Sequence, residues 1–344
     1  MTDTLIDAPA PTGSAPAIGP STTPFVRPDV RGFLDYLNAA PGPKTHELDA
    51  PTARQMFTML GSVAELPVGE LATIVDLSIP GPAGAIPARL FDVAVSREPG
   101  PALVFFHGGG FVIGDIDTHA SICAEISRVL NLPVVSVDYR LAPEHVWPAA
   151  PDDCEAAARW VAGSPVELGR TVTSLIVSGD SAGGNLAIVA AMALRDDPAA
   201  VPVIVQAPIY PATDMGREFP SYGEFAEGYL LTRDTMEWFA DAYAADLAHA
   251  RTSPLRADLR GMPPAVIITA SLDPIRDQGR AYAAALIEAG VPVVFREAIG
   301  NVHGFVNVRQ AIPSSQGDVA AYLAAVKAMI VEAEAHRVMA QAAG

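Results

Sequence analysis

The stretch Gly179-Asp180-Ser181-Ala182-Gly183-Gly184 joins an apolar run, residues 174–178, to a helical run, residues 185–195. This is the setting of a nucleophile elbow, in which a serine on a sharp strand-to-helix turn is held in a strained backbone conformation. Glycine stands two residues before and two residues after the serine, because only small neighbours let the strand and the helix pass closely. The stretch therefore predicts that the Ser181 hydroxyl points out of a sheet and towards a substrate.

A second glycine-rich stretch lies upstream, where an apolar run, residues 102–106, leads into His107-Gly108-Gly109-Gly110-Phe111. Three successive glycines lose much backbone entropy on folding, so we expect the backbone itself to be functional here. Acyl transfer supplies that function, because its tetrahedral intermediate carries an oxyanion that fixed N–H donors must meet. We assign these donors to the N–H groups of Gly108, Gly109 and Ala182. A phosphate cradle is the alternative, but the stretch lacks the lysine and the G-x-G-x-x-G spacing of such sites.

A serine hydroxyl becomes a good nucleophile only when a base takes its proton, and an acid must orient that base. After a nucleophile elbow the acid and then the histidine follow along the chain, each in a loop after a strand. Asp273 and His303 meet this condition, since each follows an apolar strand segment. We therefore predict a triad of Ser181, Asp273 and His303. Asp277 competes for the acid, but it falls where the next helix should begin and is better explained as a helix-start residue.

The other polar candidates have structural interpretations. His107 precedes the glycines and is expected to brace their loop by hydrogen bonding, and Asp180 is expected to form local hydrogen bonds around the turn. A lone histidine elsewhere is usually a surface residue or a satisfied core residue. This interpretation applies to His119, His145, His249 and His336.

Five motifs follow one another along the chain: HGGGF at 107–111, DYRLAPEH at 138–145, GDSAGG at 179–184, DPIRD at 273–277 and HGF at 303–305. Together they resemble the hormone-sensitive-lipase-like branch of the α/β-hydrolases, also called bacterial family IV esterases, over about residues 70–330. The resemblance implies a carboxylesterase with the predicted triad and an oxyanion hole from the glycine loop. Two departures, Val146-Trp147-Pro148 in place of Pro-Phe-Pro and Gln278 in place of Glu, do not touch the triad.

Composition and periodicity predict the same fold class. Half of the residues are hydrophobic and 18% are charged, which is ample for a core on both sides of a parallel sheet with continuously apolar strands. Helical patterns alternate with such strands, and this predicts an α/β protein with a mostly parallel sheet and helices on both faces. An antiparallel hairpin at residues 73–79 and 86–92 brings the sheet to about eight strands. We therefore expect an α/β-hydrolase fold with a helical cap.

The chain ends and one insertion fall outside this alternation. The insertion carries seven aromatic residues, and we expect it to pack with the N-terminal helices as a cap over Ser181. The division is a disordered tail at 1–24, N-terminal cap helices at 25–68, a first core part at 69–210, the cap insertion at 211–256 and a second core part at 257–344. Phe111, Tyr210 and Tyr222 are candidates for the pocket wall, because apolar and aromatic side chains line most small-molecule sites.

Composition also limits the partners. The 39 acidic and 22 basic residues give a net charge of −17, and no cluster of Lys and Arg is present to bind nucleic acid or an anionic membrane. No apolar run reaches the ~18 residues of a membrane-spanning helix. The start of the chain carries no export signal, and Cys123 and Cys154 lack metal-ligand spacing, so we expect buried thiols and a cytoplasmic protein without metal or cofactor. The sequence leaves a homodimer open.

These observations predict a carboxylesterase that uses water to hydrolyse short- to medium-chain acyl esters through an acyl-enzyme intermediate. The cap is modest and carries no sign of the long interfacial lid of a lipase, which favours such chains. Two alternatives stay open. One is an amidase or peptidase with the same triad, and the other is a non-catalytic ligand-binding receptor, as in plant hormone receptors that resemble this family but lack the catalytic histidine.

Overall fold

The computed structural model describes residues 23–343, and its centre is one sheet of eight strands. In chain order the strands are β1 Thr73–Gly81, β2 Gly84–Asp92, β3 Gly100–Phe106, β4 Val134–Val137, β5 Val172–Asp180, β6 Val203–Ile209, β7 Ala265–Leu272 and β8 Val293–Val302. Across the sheet their order is β1-β2-β4-β3-β5-β6-β7-β8. Strand β2 runs antiparallel to its two neighbours, β1 and β4, and the other five neighbouring pairs of the described sheet are parallel, so the prediction of a mostly parallel sheet is confirmed.

Helices cover both faces of the sheet. Within the described residues they are α1 Pro28–Ala39, α2 Ala50–Ala64, α3 Ala120–Leu130, α4 Ala149–Ala162, α5 Ala182–Asp196, α6 Pro220–Glu224, α7 Arg233–Tyr243, α8 Arg276–Glu288 and α9 Ser315–Ala343. Helices α3 and α9 pack on one face, whereas α4, α5 and α8 pack on the other. Helices α1, α2, α6 and α7 lie near the carboxyl ends of the strands and form the cap.

The central strands are buried on both sides. In β5, Leu175 and Val177 face the core under α4 and α5, whereas Ile176 between them faces the core under α3 and α9. Side chains alternate between the faces of a strand, so a strand covered on both faces must be apolar at every position. This explains why these strands read as continuous apolar runs, and the prediction of an α/β-hydrolase fold is confirmed.

Charged groups tie the N-terminal cap helices to the core. The buried guanidinium of Arg309 lies 2.7 Å from the Glu65 carboxylate at the end of α2. Arg54 in α2 forms an ion pair of 2.6 Å with Glu144 and donates to the carbonyl oxygen of Val112 at 2.8 Å. The boundaries between cap and core stay predictions. Of the expected disordered tail, residues 1–22 lie outside the described residues.

Two further features concern the helices and the cysteines. From residue 23 to residue 343, no helix combines the length and the apolar character needed to cross a membrane. Cys123 and Cys154 are buried free thiols, and burial raises the pKa of both. They therefore stay protonated at neutral pH, in a form that is a poor nucleophile.

Replacement of Leu323 by alanine should show how strongly α9 supports the sheet. Leu323 is 1% exposed, so Leu323→Ala leaves a cavity and should lower the free energy of unfolding by about 2–5 kcal/mol. Urea unfolding measures the change. Val331 lies on the same helix and is 65% exposed, so Val331→Ala should change the free energy by less than about 0.5 kcal/mol. Equal effects would contradict this placement of the helix.

Candidate active site

Ser181 occupies the sharp turn that the sequence predicts. Strand β5 ends at Asp180 and helix α5 begins at Ala182, so that Ser181 alone connects them, with φ 56° and ψ −117°. A positive φ is unfavourable for a residue with a side chain, and such strain is typical of a nucleophile elbow. A Cβ atom on Gly183 would collide with the carbonyl oxygen of Phe106, at the end of β3. Glycine is therefore required where the helix passes the neighbouring strand.

The structure brings Ser181, His303 and Asp273 together in one line. Nε2 of His303 lies 2.8 Å from the Ser181 hydroxyl, and Nδ1 of the same ring lies 2.8 Å from Oδ2 of Asp273. Asp273 is fully buried and its other oxygen accepts a hydrogen bond of 2.8 Å from the Ile275 N–H. The imidazole is thus held between an acid and a hydroxyl, which is the geometry that acyl transfer by a serine needs.

Each glycine of the loop after β3 is confined by a different neighbour. A Cβ atom would meet the Asp180 carboxylate at Gly108, the carbonyl oxygen of Ile113 at Gly109, and the Phe239 ring at Gly110. Gly109 and Gly110 also have positive φ values of 117° and 60°. The loop, which we call the oxyanion loop (residues 107–110), therefore admits no side chain at any of its three glycines.

The orientation of this loop corrects one of the predicted donors. The Gly108 N–H points away from Ser181 and donates to Oδ1 of Asp180 at 2.8 Å, so the prediction that Gly108 serves as an oxyanion donor is wrong. Gly110, which the sequence analysis does not select, lines the cavity beside Ser181 and Ala182. No described residue accepts a hydrogen bond from the N–H groups of Gly109, Gly110 or Ala182, and these three groups remain able to meet a substrate oxygen.

Asp180 is a buried anion behind the oxyanion loop. Burial acts to raise its pKa, but His119, the Gly108 N–H and His303 outweigh burial and hold the pKa below its usual value. The Tyr210 hydroxyl lies 3.3 Å from its second oxygen. The hydrogen bonds expected around the turn are therefore present, and they reach well beyond the turn itself.

A cavity of about 380 Å³ opens above Ser181. Its wall includes two of the predicted pocket residues, Phe111 and Tyr222, and Phe239, one of the seven aromatic residues of the insertion. It also includes apolar side chains that the sequence does not single out, namely Met215, Leu231, Met236 and Leu247. Tyr210 is not part of this wall. It is buried with its ring 4.5 Å from that of His303, so the prediction of Tyr210 as a pocket residue is wrong. Proximity in the chain does not fix the direction of a side chain.

His107 braces the oxyanion loop, as expected. Its Nδ1–H donates to the carbonyl oxygen of Gly108 at 2.8 Å, and its ring stacks on Tyr139 at 4.3 Å. Burial, helped by the nearby His119, lowers the pKa of His107 to about 4. The ring is therefore neutral at physiological pH. In the described part of the chain, no group of three or more His, Cys, Asp and Glu residues is arranged to hold a metal ion.

Comparisons with known proteins agree with this geometry. A family model described as the alpha/beta hydrolase fold matches residues 103–307. Esterase LipI of Mycobacterium tuberculosis is 38% identical over 290 residues, which cover 82% of this chain and 89% of LipI. Carboxylic ester hydrolase LipN of the same organism is 43% identical over 247 residues, which cover 69% of this chain and 65% of LipN. The alignment thus spans slightly under two thirds of LipN and most of LipI.

Solved structures give the same result. An α/β-hydrolase enzyme from the metagenome of Lake Arreo superposes with a TM-score of 0.84 at 38% identity, covering 88% of this chain and 98% of that chain. The hyperthermophilic esterase of Pyrobaculum calidifontis superposes with a TM-score of 0.81 at 38% identity, covering 90% of this chain and 100% of that esterase. The chain therefore belongs to the α/β-hydrolase family, in its hormone-sensitive-lipase-like branch. The prediction of a carboxylic ester hydrolase is confirmed.

Acidification should destabilise the fold through His107. The pKa of about 4 in the folded protein lies below the ~6.5 of an exposed histidine, so the unfolded chain binds the extra proton between these values. The free energy of unfolding should therefore fall by up to about 1.4 kcal/mol per pH unit from pH ~6.5 down to 4, and not above pH ~6.5. Urea unfolding of His107→Asn, which keeps a donor near Nδ1, should show a weaker dependence over this window.

The control for this measurement is His336→Asn, because His336 is exposed on α9. Its pH dependence should match that of the unchanged protein. If His107→Asn also keeps the full dependence on pH, His107 does not carry the effect.

Proposed function

We propose that this carboxylesterase cleaves short- to medium-chain acyl esters with Ser181 as nucleophile, His303 as base and Asp273 as the acid that orients the base. The observation that carries the proposal is the unbroken line from the Ser181 hydroxyl through the His303 ring to Asp273, with both distances at 2.8 Å. The serine stands at the floor of an apolar cavity, where an ester group can reach it.

In the first half of the reaction, Ser181 Oγ attacks the ester carbonyl carbon while Nε2 of His303 takes the hydroxyl proton. The buried carboxylate of Asp273 accepts a hydrogen bond from Nδ1–H and stabilises the imidazolium that forms. The tetrahedral intermediate then collapses. The bond to the alcohol oxygen breaks, the alcohol leaves with the proton from Nε2, and an acyl group stays on Ser181.

The second half repeats these steps with water. Nε2 of His303 takes a proton from a water molecule, whose oxygen attacks the acyl carbon. When the second tetrahedral intermediate collapses, the bond to Ser181 Oγ breaks and the serine regains its proton from His303. The carboxylic acid is released, and Asp273 carries the same charge throughout.

The negative oxygen of both intermediates needs fixed donors. We assign them to the N–H groups of Gly109, Gly110 and Ala182, since that of Gly108 is engaged by Asp180. The Ala182 N–H is at the start of α5, where the helix dipole also favours negative charge. Each donor of this kind typically contributes a factor of about 10²–10³ to kcat.

The cavity supports the choice of acyl length. Its volume of about 380 Å³ lies near the lower end of the ~300–1,000 Å³ that small-molecule sites occupy, and the leaving alcohol must share that space. The wall is mainly apolar, as an aliphatic acyl chain requires. An amide could enter the same site, and a matched ester and amide distinguish the two activities.

Removal of a triad residue should abolish turnover. With p-nitrophenyl butyrate, Ser181→Ala and His303→Ala should lower kcat by roughly 10⁶-fold, and Asp273→Asn by roughly 10⁴-fold. His336→Ala, on the exposed face of α9, should retain full activity. Unchanged turnover in Ser181→Ala would refute the assignment, and faster cleavage of the matching p-nitroanilide than of the ester would favour an amidase.

The rate should also depend on the length of the acyl chain. In a series of p-nitrophenyl esters, kcat/KM should peak at about four to eight acyl carbons and fall for palmitate, which exceeds the cavity. Leu231→Trp narrows the cavity and should move the peak to shorter chains, whereas Val338→Trp on the exposed surface should leave it unchanged. A preference for emulsified long-chain triglycerides would contradict this substrate range.

A further inference from the structure

His119 is a buried histidine that the mechanism above does not use. It lies just before α3 and is fully buried. The centres of the Phe105 and His107 rings lie 6.2 and 5.5 Å from the centre of its ring. A buried imidazole needs partners for both ring nitrogens. The partners of this ring connect two loops that the proposed mechanism requires.

The first connection runs to the oxyanion loop. Nε2 of His119 lies 3.1 Å from Oδ1 of Asp180 and 3.3 Å from the Gly108 nitrogen. The same Oδ1 accepts the Gly108 N–H at 2.8 Å. His119 and Asp180 therefore hold the oxyanion loop from behind, on the side away from the substrate cavity.

The second connection runs to the loop that carries His303. The side-chain amide of Asn307 lies 2.8 Å from Nε2 of His119, and Asn307 ends a short turn over residues 305–307, directly after His303 and Gly304. Asn307 is 8% exposed, so water does not readily replace this contact. One ring nitrogen thus touches both loops.

The position of the proton follows from these partners. A single nitrogen cannot donate to Asp180 and also accept from Asn307. Nε2 can donate to both side chains when it carries a proton and the Asn307 amide turns its oxygen towards it. That orientation gives a partner to Asn307 Oδ1, a buried oxygen otherwise without one among the described residues, and it moves the amide nitrogen to the place that the oxygen leaves. At Nδ1, the Thr118 hydroxyl lies 3.0 Å away.

We propose that His119 is a positioning residue that fixes the oxyanion loop and the His303 loop relative to each other, through Asp180 on one side and Asn307 on the other. This inference rests on the proposed function. The two loops follow β3 and β8, which are separated in the sheet by β5, β6 and β7, so no strand pairing aligns them directly. A shift of about 1 Å between reacting groups costs on the order of 10²-fold in rate, which makes such an alignment valuable.

The test compares His119→Leu, which removes the bridge, with His119→Gln, whose amide nitrogen reaches the place of Nε2. His119→Leu should lower kcat for p-nitrophenyl butyrate by about 10- to 100-fold with little change in KM. His119→Gln should retain most of the activity that the Leu variant loses. A trifluoromethyl ketone adds Ser181 to its carbonyl and forms an oxyanion. Its inhibition constant should rise in His119→Leu by the same factor by which kcat falls.

The matched control is Ser127→Ala in the adjoining helix α3. Ser127 is fully buried and donates to the Leu132 carbonyl oxygen at 2.8 Å, so its loss destabilises the same region without touching either loop. Its kcat and its affinity for the ketone should stay unchanged. A parallel loss of kcat in this control would mean that destabilisation alone explains the effect of His119→Leu.

A double variant with Asn307→Ala completes the test. If His119 acts as a bridge, the single variant Asn307→Ala should lower kcat, and the same substitution should add little to the loss of kcat in His119→Leu. If the Leu variant fails to fold, the kcat of Asn307→Ala by itself still tests the bridge. Unchanged kcat in His119→Leu or in Asn307→Ala, or a fall in kcat of His119→Leu without loss of affinity for the ketone, would overturn the proposal. Activity that survives in Ser181→Ala would instead refute the proposed function, independently of His119.

Discussion

The close approach of three backbone segments around Ser181 determines the rest of the site. Strand β5, helix α5 and the end of β3 meet where a single Cβ atom on Gly183 would collide with the carbonyl oxygen of Phe106. Because they meet there, the Ser181 hydroxyl emerges beside the oxyanion loop instead of several ångströms from it. A wider crossing would accommodate larger residues, but it would move the hydroxyl away from the free N–H groups that an acyl transfer needs.

Successive N–H groups of the oxyanion loop point to opposite sides of the backbone. The Gly108 N–H faces inward to the buried Asp180 carboxylate, and the following N–H groups have no protein acceptor among the described residues. Positive φ values at Gly109 and Gly110 produce this change of direction. The N–H groups that we assign as oxyanion donors therefore follow directly after one that a buried anion holds, and His119 on another loop contacts the same anion. Its negative charge is maintained because its partners outweigh the effect of burial on its pKa.

The sequence predicted most about residues whose chemistry and order along the chain leave few alternatives. The glycines around Ser181, and the order of Asp273 and His303 after it, predicted three side chains that the structure joins by hydrogen bonds. Continuous apolar strands and the intervening helical patterns predicted the sheet and its covered faces. The alanine-rich segment around His336 reads as helical, but its residues provide little contrast between an apolar and a polar face, so the bounds of α9 could not be predicted.

The remaining site residues depend on directions that a sequence pattern does not encode. Gly108 and Gly110 are identical as residues, and only the loop dihedrals decide which N–H faces the cavity. Tyr210 follows a strand near Ser181, yet its ring turns inward against His303. His119 reads in the sequence as an ordinary surface or core histidine, because its partners Asp180 and Asn307 are distant in the chain and meet it only after folding.

The Phe239 ring lies directly over Gly110, so a helix of the cap rests on the backbone that would receive the negative oxygen. Changes in the cap that alter which substrates bind should therefore also alter the rate of turnover. A cap exchanged with that of a relative, or redesigned to admit a bulkier ester, would carry a new contact to the glycine loop and alter the rate constant along with the selectivity. Engineering of this scaffold has to treat α7 and the oxyanion loop as one unit, and natural divergence of the cap faces the same restriction.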